Sequence, residues 1–177
     1  QMGYGGAIYF RGMTGPSPVK PGGLWIILNM EWIQSKSSFS RPLLQALEAL
    51  AILSHELNHV GQELQGRKLG QDIQVRDGDS AMLIEGMAEF LNERAWVDFS
   101  TDLAETKNPF ALFAREQAVE IVYRDGNSST GSLFPYTVGV PFAAALYSHG
   151  RGADWVNERC LEVLGGKKTL EKFLSEF

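Results

Sequence analysis

The sequence predicts a single α+β domain in which helix dominates. Three observations lead there. Beyond residue 40, apolar residues recur at helical spacing in several segments, each bounded by capping or stop residues. Strand-like runs are confined to the first 35 residues. The length, 177 residues, suffices for one hydrophobic core and hardly for two. One domain over 1–177 follows, with strands and turns in 1–39 and a helical body in 40–177.

The first 23 residues are rich in glycine and proline, so turns dominate there, with a short strand around residues 7–11. Residues 24–29 (Leu-Trp-Ile-Ile-Leu-Asn) follow Gly22-Gly23 and read as a strand. Ser40 is a good N-cap and Pro42 suits a first helical turn. A long helix then runs from residue 41 to about 65, with Gly66 as its stop. Residues 67–78 are polar and read as a loop; a second helix starts near Asp79 or Ser80 and runs to about Trp96. Asn108-Pro109 opens a third helix ending near Asp125, and 127–132 is a loop. A fourth helix covers roughly 136–148 and begins late or kinks at Pro141, because proline inside a helix costs about 3 kcal/mol. Residues 154–164 and 169–177 close the chain as two short helices around Gly165-Gly166. Met82, Met87, Phe90, Trp155 and Leu161 fall at core spacings.

Composition narrows the function. Hydrophobic residues make up 44% and charged residues 21%, as in ordinary folded proteins. Net charge is −5, and the basic residues are scattered except for Arg67-Lys68 and Lys167-Lys168, which excludes a nucleic-acid footprint. No apolar run reaches the roughly 20 residues that span a bilayer. Cys160 is the one cysteine, so neither an intrachain disulfide nor a cysteine-built zinc site is available. No signal peptide is visible at the start, but a trimmed chain would lack one too, so the compartment and the oligomeric state stay open.

The chemistry lies in the long helix, where residues 54–60 read Ser-His-Glu-Leu-Asn-His-Val. His55 and His59 are i and i+4, one above the other on a helix face. Two imidazoles so placed reach one zinc ion at roughly 2.0–2.1 Å per Zn–N bond. Glu56 is offset around the helix and can reach a zinc-activated water without binding the metal. Zinc lowers the pKa of that water from about 15.7 toward about 7, and a nearby carboxylate takes its proton as it attacks a carbonyl. A catalytic zinc usually has three protein ligands. The second helix offers Glu85 and Glu89, again i and i+4. Gly86 between them costs a helix roughly 1 kcal/mol relative to alanine, so another helix or the substrate is expected close by.

These residues resemble the gluzincins, zinc peptidases in which His-Glu-x-x-His is followed by a glutamate ligand on a later helix. Glu85-Gly-x-Ala-Glu89 is similar to the Glu-Gly-x-Ala pattern of many bacterial members. The resemblance implies Glu85 as third ligand beside His55 and His59, Glu56 as general base, and Glu89 as the carboxylate that receives a hydrogen bond from a ligand histidine. Downstream, Tyr136, Gly139, Phe142, Tyr147 and Gly150 are similar to a Tyr-x-x-Gly-x-x-Phe helix in bacterial relatives. There the resemblance implies an oxyanion donor: Tyr136 first, then His149, then Tyr147. It covers roughly residues 40–177 and implies a zincin-like fold, whose strand before the active helix, here 24–29, binds substrate backbone; with only 39 residues before Ser40 the chain departs from the family's fuller N-terminal sheet, so the sheet is abbreviated or an upstream part is missing. It further implies zinc as cofactor, a peptide or protein as substrate, and a secreted or cell-envelope setting.

Other readings remain at this level. A three-histidine site would need His149, and Gln62 and Gln65 stand where metzincins continue with glycine and histidine. A non-catalytic zinc or partner-binding domain would have a closed fourth position and no need of Glu56. Hydrolysis of a non-peptide amide would call for a different cleft.

Overall fold

A computed structural model describes residues 11–36, 42–73, 77–105 and 138–176. It is mostly helical with one small antiparallel sheet, as expected. Strands β1 (Gly12–Pro16) and β2 (Leu24–Leu28) form a hairpin in which Gly12 pairs with Leu28 and Pro16 with Leu24. β1 lies where turns were expected, and residues 7–10 of the expected first strand fall outside the described residues. Its turn is held by Ser17, whose Oγ accepts from the Lys20 amide at 3.0 Å, and by Gly22 at φ 74°.

Helix α1 (Met30–Lys36) corrects the expectation of strands and turns alone before residue 40. Asn29 caps it, its Oδ1 accepting from the Trp32 amide at 3.0 Å, and Ile33 is fully buried. A cap directly after a strand, followed by only two helical turns, is too short to show periodicity.

Helix α2 (Pro42–Lys68) passes through Gly66 rather than stopping there. Ile73 packs so closely on Gly66 that a Cβ would stand 2.3 Å from Ile73 Cγ1. The stop is Gly70 at φ 64°, and the Gln71 amide returns to Gly66 O at 2.8 Å. Ser40 lies outside the described residues. Helix α3 (Gly78–Glu105) extends well past Trp96. It starts on a reciprocal cap in which Asp77 Oδ1 accepts from the Ser80 amide at 2.8 Å and Ser80 Oγ from the Asp77 amide at 2.9 Å.

The expected helix at 108–125, the loop at 127–132 and Tyr136 lie outside the described residues. Helix α4 (Gly139–Ser148) begins late, which puts Pro141 in the first turn where its missing N–H has no helical partner. α5 (Ala153–Leu164) and α6 (Leu170–Leu174) close the chain, with Thr169 capping α6. The main core lies between α3, α4, α5 and α6 and includes Leu83, Met87, Leu146, Leu161 and Phe173, with Phe90 and Trp155 packed against it. No helix among the described residues is long and apolar enough to cross a membrane.

Cys160 is fully buried in that core, and burial pushes its thiol up to about 12. Its thiolate population near neutral pH is correspondingly small. A thiol reagent at pH 8 is expected to leave the native protein unlabelled over hours and to modify it fully in denaturant. Rapid labelling of the folded protein would contradict this packing.

Candidate metal centre

The site forms where α2 lies against α3. Along the contact, Gln62 meets Ile84, Asn58 meets Ala88 and His55 meets Glu89, so the helices run antiparallel. Asn58 ties them directly, its Nδ2 donating to Ser54 O and Ala88 O, each at 3.1 Å.

Gly86 permits helix α4 to approach α3. A Cβ on Gly86 would stand 2.4 Å from the Gly139 carbonyl carbon, and one on Gly139 would stand 2.6 Å from Met82 O. The expectation of a close neighbour beside Glu85 is met by α4.

His55, His59 and Glu85 converge, with one ligand atom from each lying within 4.8 Å of the others. His55 Nε2 and His59 Nε2 are 3.0 Å apart, and Glu85 Oε2 lies 3.3 Å and 3.4 Å from them. Four ligands about 2.0–2.1 Å from a tetrahedral centre stand roughly 3.3 Å from one another. The donor set, two imidazoles and a carboxylate, is one that zinc favours. Both the spacing and the chemistry therefore fit a zinc ion.

Charge points the same way. Burial alone would push the His55 pKa down, but the hydrogen bonds and charges of Glu85 and Glu89 outweigh it and hold it up at about 10. Burial would likewise raise the Glu85 carboxyl, and the bonds from His55 and His59 hold it well below the usual carboxylate range. Without a metal, a proton on His55 answers the carboxylates around it. A divalent cation answers the same demand.

Glu89 lies beside His55, its Oε2 accepting from His55 Nδ1 at 2.7 Å. Carboxylates that orient a ligand histidine are typically worth 10–100-fold in metal affinity. Glu89→Gln is expected to weaken zinc binding by roughly that factor, measured by competition with a chromophoric chelator. Unchanged affinity would remove Glu89 from the support of the site.

Glu56 is buried beside the cluster but outside it. Thr14 on β1 holds it, its Oγ1 donating to Glu56 Oε2 at 2.8 Å and lying 3.1 Å from Glu56 O. Gly12 allows this approach, since a Cβ there would stand 2.6 Å from Ile52 and 2.8 Å from Glu56 Oε1. The hairpin thereby roofs a cleft of about 530 Å³ lined by β1, His55, Glu56, His59 and Glu85. All five residues of β1 line it, whereas β2 contributes Leu24. The strand beside the cleft is therefore β1 rather than the one expected at 24–29.

Of the oxyanion candidates, the two that are described, His149 and Tyr147, do not line the cleft. Tyr136 lies outside the described residues. His149 is the exposed C-cap of α4 and is not among the described residues that line the cleft. Tyr147 turns to the core, where its hydroxyl bonds Asn157 and its ring stacks on Phe90 at 5.1 Å between centroids. Thr14 and Gln62 are partners that the sequence reading did not single out for the site. Gln62 follows His59 by three, a spacing that shares its helix face. Thr14 is separated from Glu56 by 42 residues, with no local pattern to link them.

Comparison with known proteins brings no match to the chain among protein families, curated proteins or solved structures.

Proposed function

We propose that this protein is a zinc-dependent hydrolase of peptide bonds, with a compact, zincin-like, gluzincin-type arrangement. One observation carries the reading: the three donor atoms of His55, His59 and Glu85 stand at tetrahedral zinc spacing beside a buried glutamate in an open cleft.

Zinc held there would supply a Lewis acid and a water of pKa near 7. The rest falls to the chain. Thr14 fixes the orientation of the Glu56 carboxylate by bonding Oε2. Glu56 takes the proton of the attacking water as it adds to the carbonyl carbon, then returns it to the leaving nitrogen. Glu89 holds the His55 ring in place. All five residues of the strand β1 line the cleft, which suits an extended peptide lying along it. The oxyanion role of Tyr136 rests on the resemblance alone. A site that only stores or senses zinc has no use for a buried carboxylate held beside the metal, and Glu56 with Thr14 favours catalysis over that reading.

The test is to incubate the zinc-loaded protein with a diverse peptide mixture and map cleavage by mass spectrometry, with Glu56→Gln in parallel. Cleavage by the wild type that vanishes in the variant is expected. An absence of cleavage from wild type verified to hold zinc would overturn the peptidase reading.

A further inference from the structure

His59 can present a lone pair to a metal at Nε2 only if its ring proton sits on Nδ1. Gln62 dictates this. Ile84 O is a carbonyl and can only accept, so the atom of the Gln62 amide facing it at 3.0 Å must be Nε2, the donor. The amide oxygen is thereby turned to His59, with Oε1 2.8 Å from Nδ1. An oxygen there can only accept, so Nδ1 must carry a proton, and Nε2, which faces His55 and Glu85, is the nitrogen left to coordinate a metal.

Gln62 is itself buried, which strengthens both bonds and makes breaking either costly. Its anchor is also informative. Ile84 directly precedes Glu85, so one side chain connects a ligand on α2 to the backbone beside a ligand on α3.

We propose that Gln62 is a positioning residue of the metal centre, which sets the tautomer of His59 and ties it to the helix segment that carries Glu85. The two histidines are then supported unequally, His55 by a carboxylate and His59 by a neutral amide. The inference rests on zinc binding at this site but not on peptide hydrolysis.

Two substitutions separate tautomer control from bridging. Gln62→Leu removes both bonds. Gln62→Glu loses the donor to Ile84 O but keeps an acceptor for His59 Nδ1. With zinc as the probe, Gln62→Leu is expected to bind roughly 10–100-fold more weakly than wild type, and Gln62→Glu within about threefold of it. Equal losses in the two variants would overturn the tautomer role. Should Gln62→Leu not fold, the zinc-loaded wild type answers by nitrogen-15 NMR of its imidazoles. A His59 ring protonated at Nδ1 and coordinated at Nε2 is expected, and the reverse assignment overturns the proposal. A wild type that takes up no zinc would overturn the metal reading and this proposal together.

Discussion

Glu56→Gln is expected to lower peptide cleavage by roughly 10²–10⁴-fold while leaving zinc uptake intact, because on the proposed mechanism it removes the general base and no ligand. The substitution is nearly isosteric, and the new amide can still accept from Thr14 through its oxygen. Glu56 lies outside the convergent cluster of His55, His59 and Glu85, so the affinity for metal should hold within a few-fold of wild type. What goes is the ability to take a proton, since an amide is not a base near neutral pH. Measured as kcat/KM on any peptide the wild type cleaves, with zinc content determined on the same samples, the loss should fall mainly on kcat. Full activity in the variant would assign the base elsewhere. Loss of zinc along with activity would mean that Glu56 contributes to holding the metal.

The second large effect concerns packing. Gly86→Ala places a methyl 2.4 Å from the Gly139 carbonyl carbon and 2.5 Å from its Cα, both backbone atoms that cannot swing aside. Helix α4 must retreat, and overpacking of this kind typically costs about 1–3 kcal/mol. Alanine returns about 1 kcal/mol of helix propensity, which matches only the low end of that cost, and a clash with fixed backbone falls toward the high end. Gly61→Ala is the matched control: it too lies inside a helix, but a Cβ there meets nothing within 4 Å. The two substitutions should therefore move thermal stability in opposite directions. Each kcal/mol corresponds to roughly 2–4 °C in a protein of this size. Gly86→Ala should also weaken zinc binding, because Glu85 is its neighbour and moves with the crossing. Parallel shifts of the two variants would contradict the close contact of α3 with α4.

Much of the site is legible in the sequence because its parts are local. His55 and His59 are i and i+4, as are Glu85 and Glu89, so helical periodicity alone brings each pair to a common face, with Glu56 and Gly86 one residue around from it. Gly86 even announced a close neighbour. What stayed hidden depends on tertiary approach. Thr14 reaches Glu56 only because Gly12 lets the hairpin settle on α2. The strand bordering the cleft is β1, whose Gly-Met-Thr-Gly-Pro sequence has almost none of the residues that usually mark a strand. Its pairing with the strongly strand-forming Leu-Trp-Ile-Ile-Leu of β2 overrides that weak propensity. Gly66 looked like a helix stop and is instead a site of close packing under Ile73.

The central claim, that His55, His59 and Glu85 jointly hold one zinc ion, is tested most directly by native mass spectrometry of metal-stripped protein titrated with zinc. One tightly bound ion per chain is expected for the wild type and for Glu56→Gln, and none at the same concentration for His59→Ala. A wild type that stays metal-free, or a His59→Ala variant that binds zinc as tightly as wild type, would contradict it.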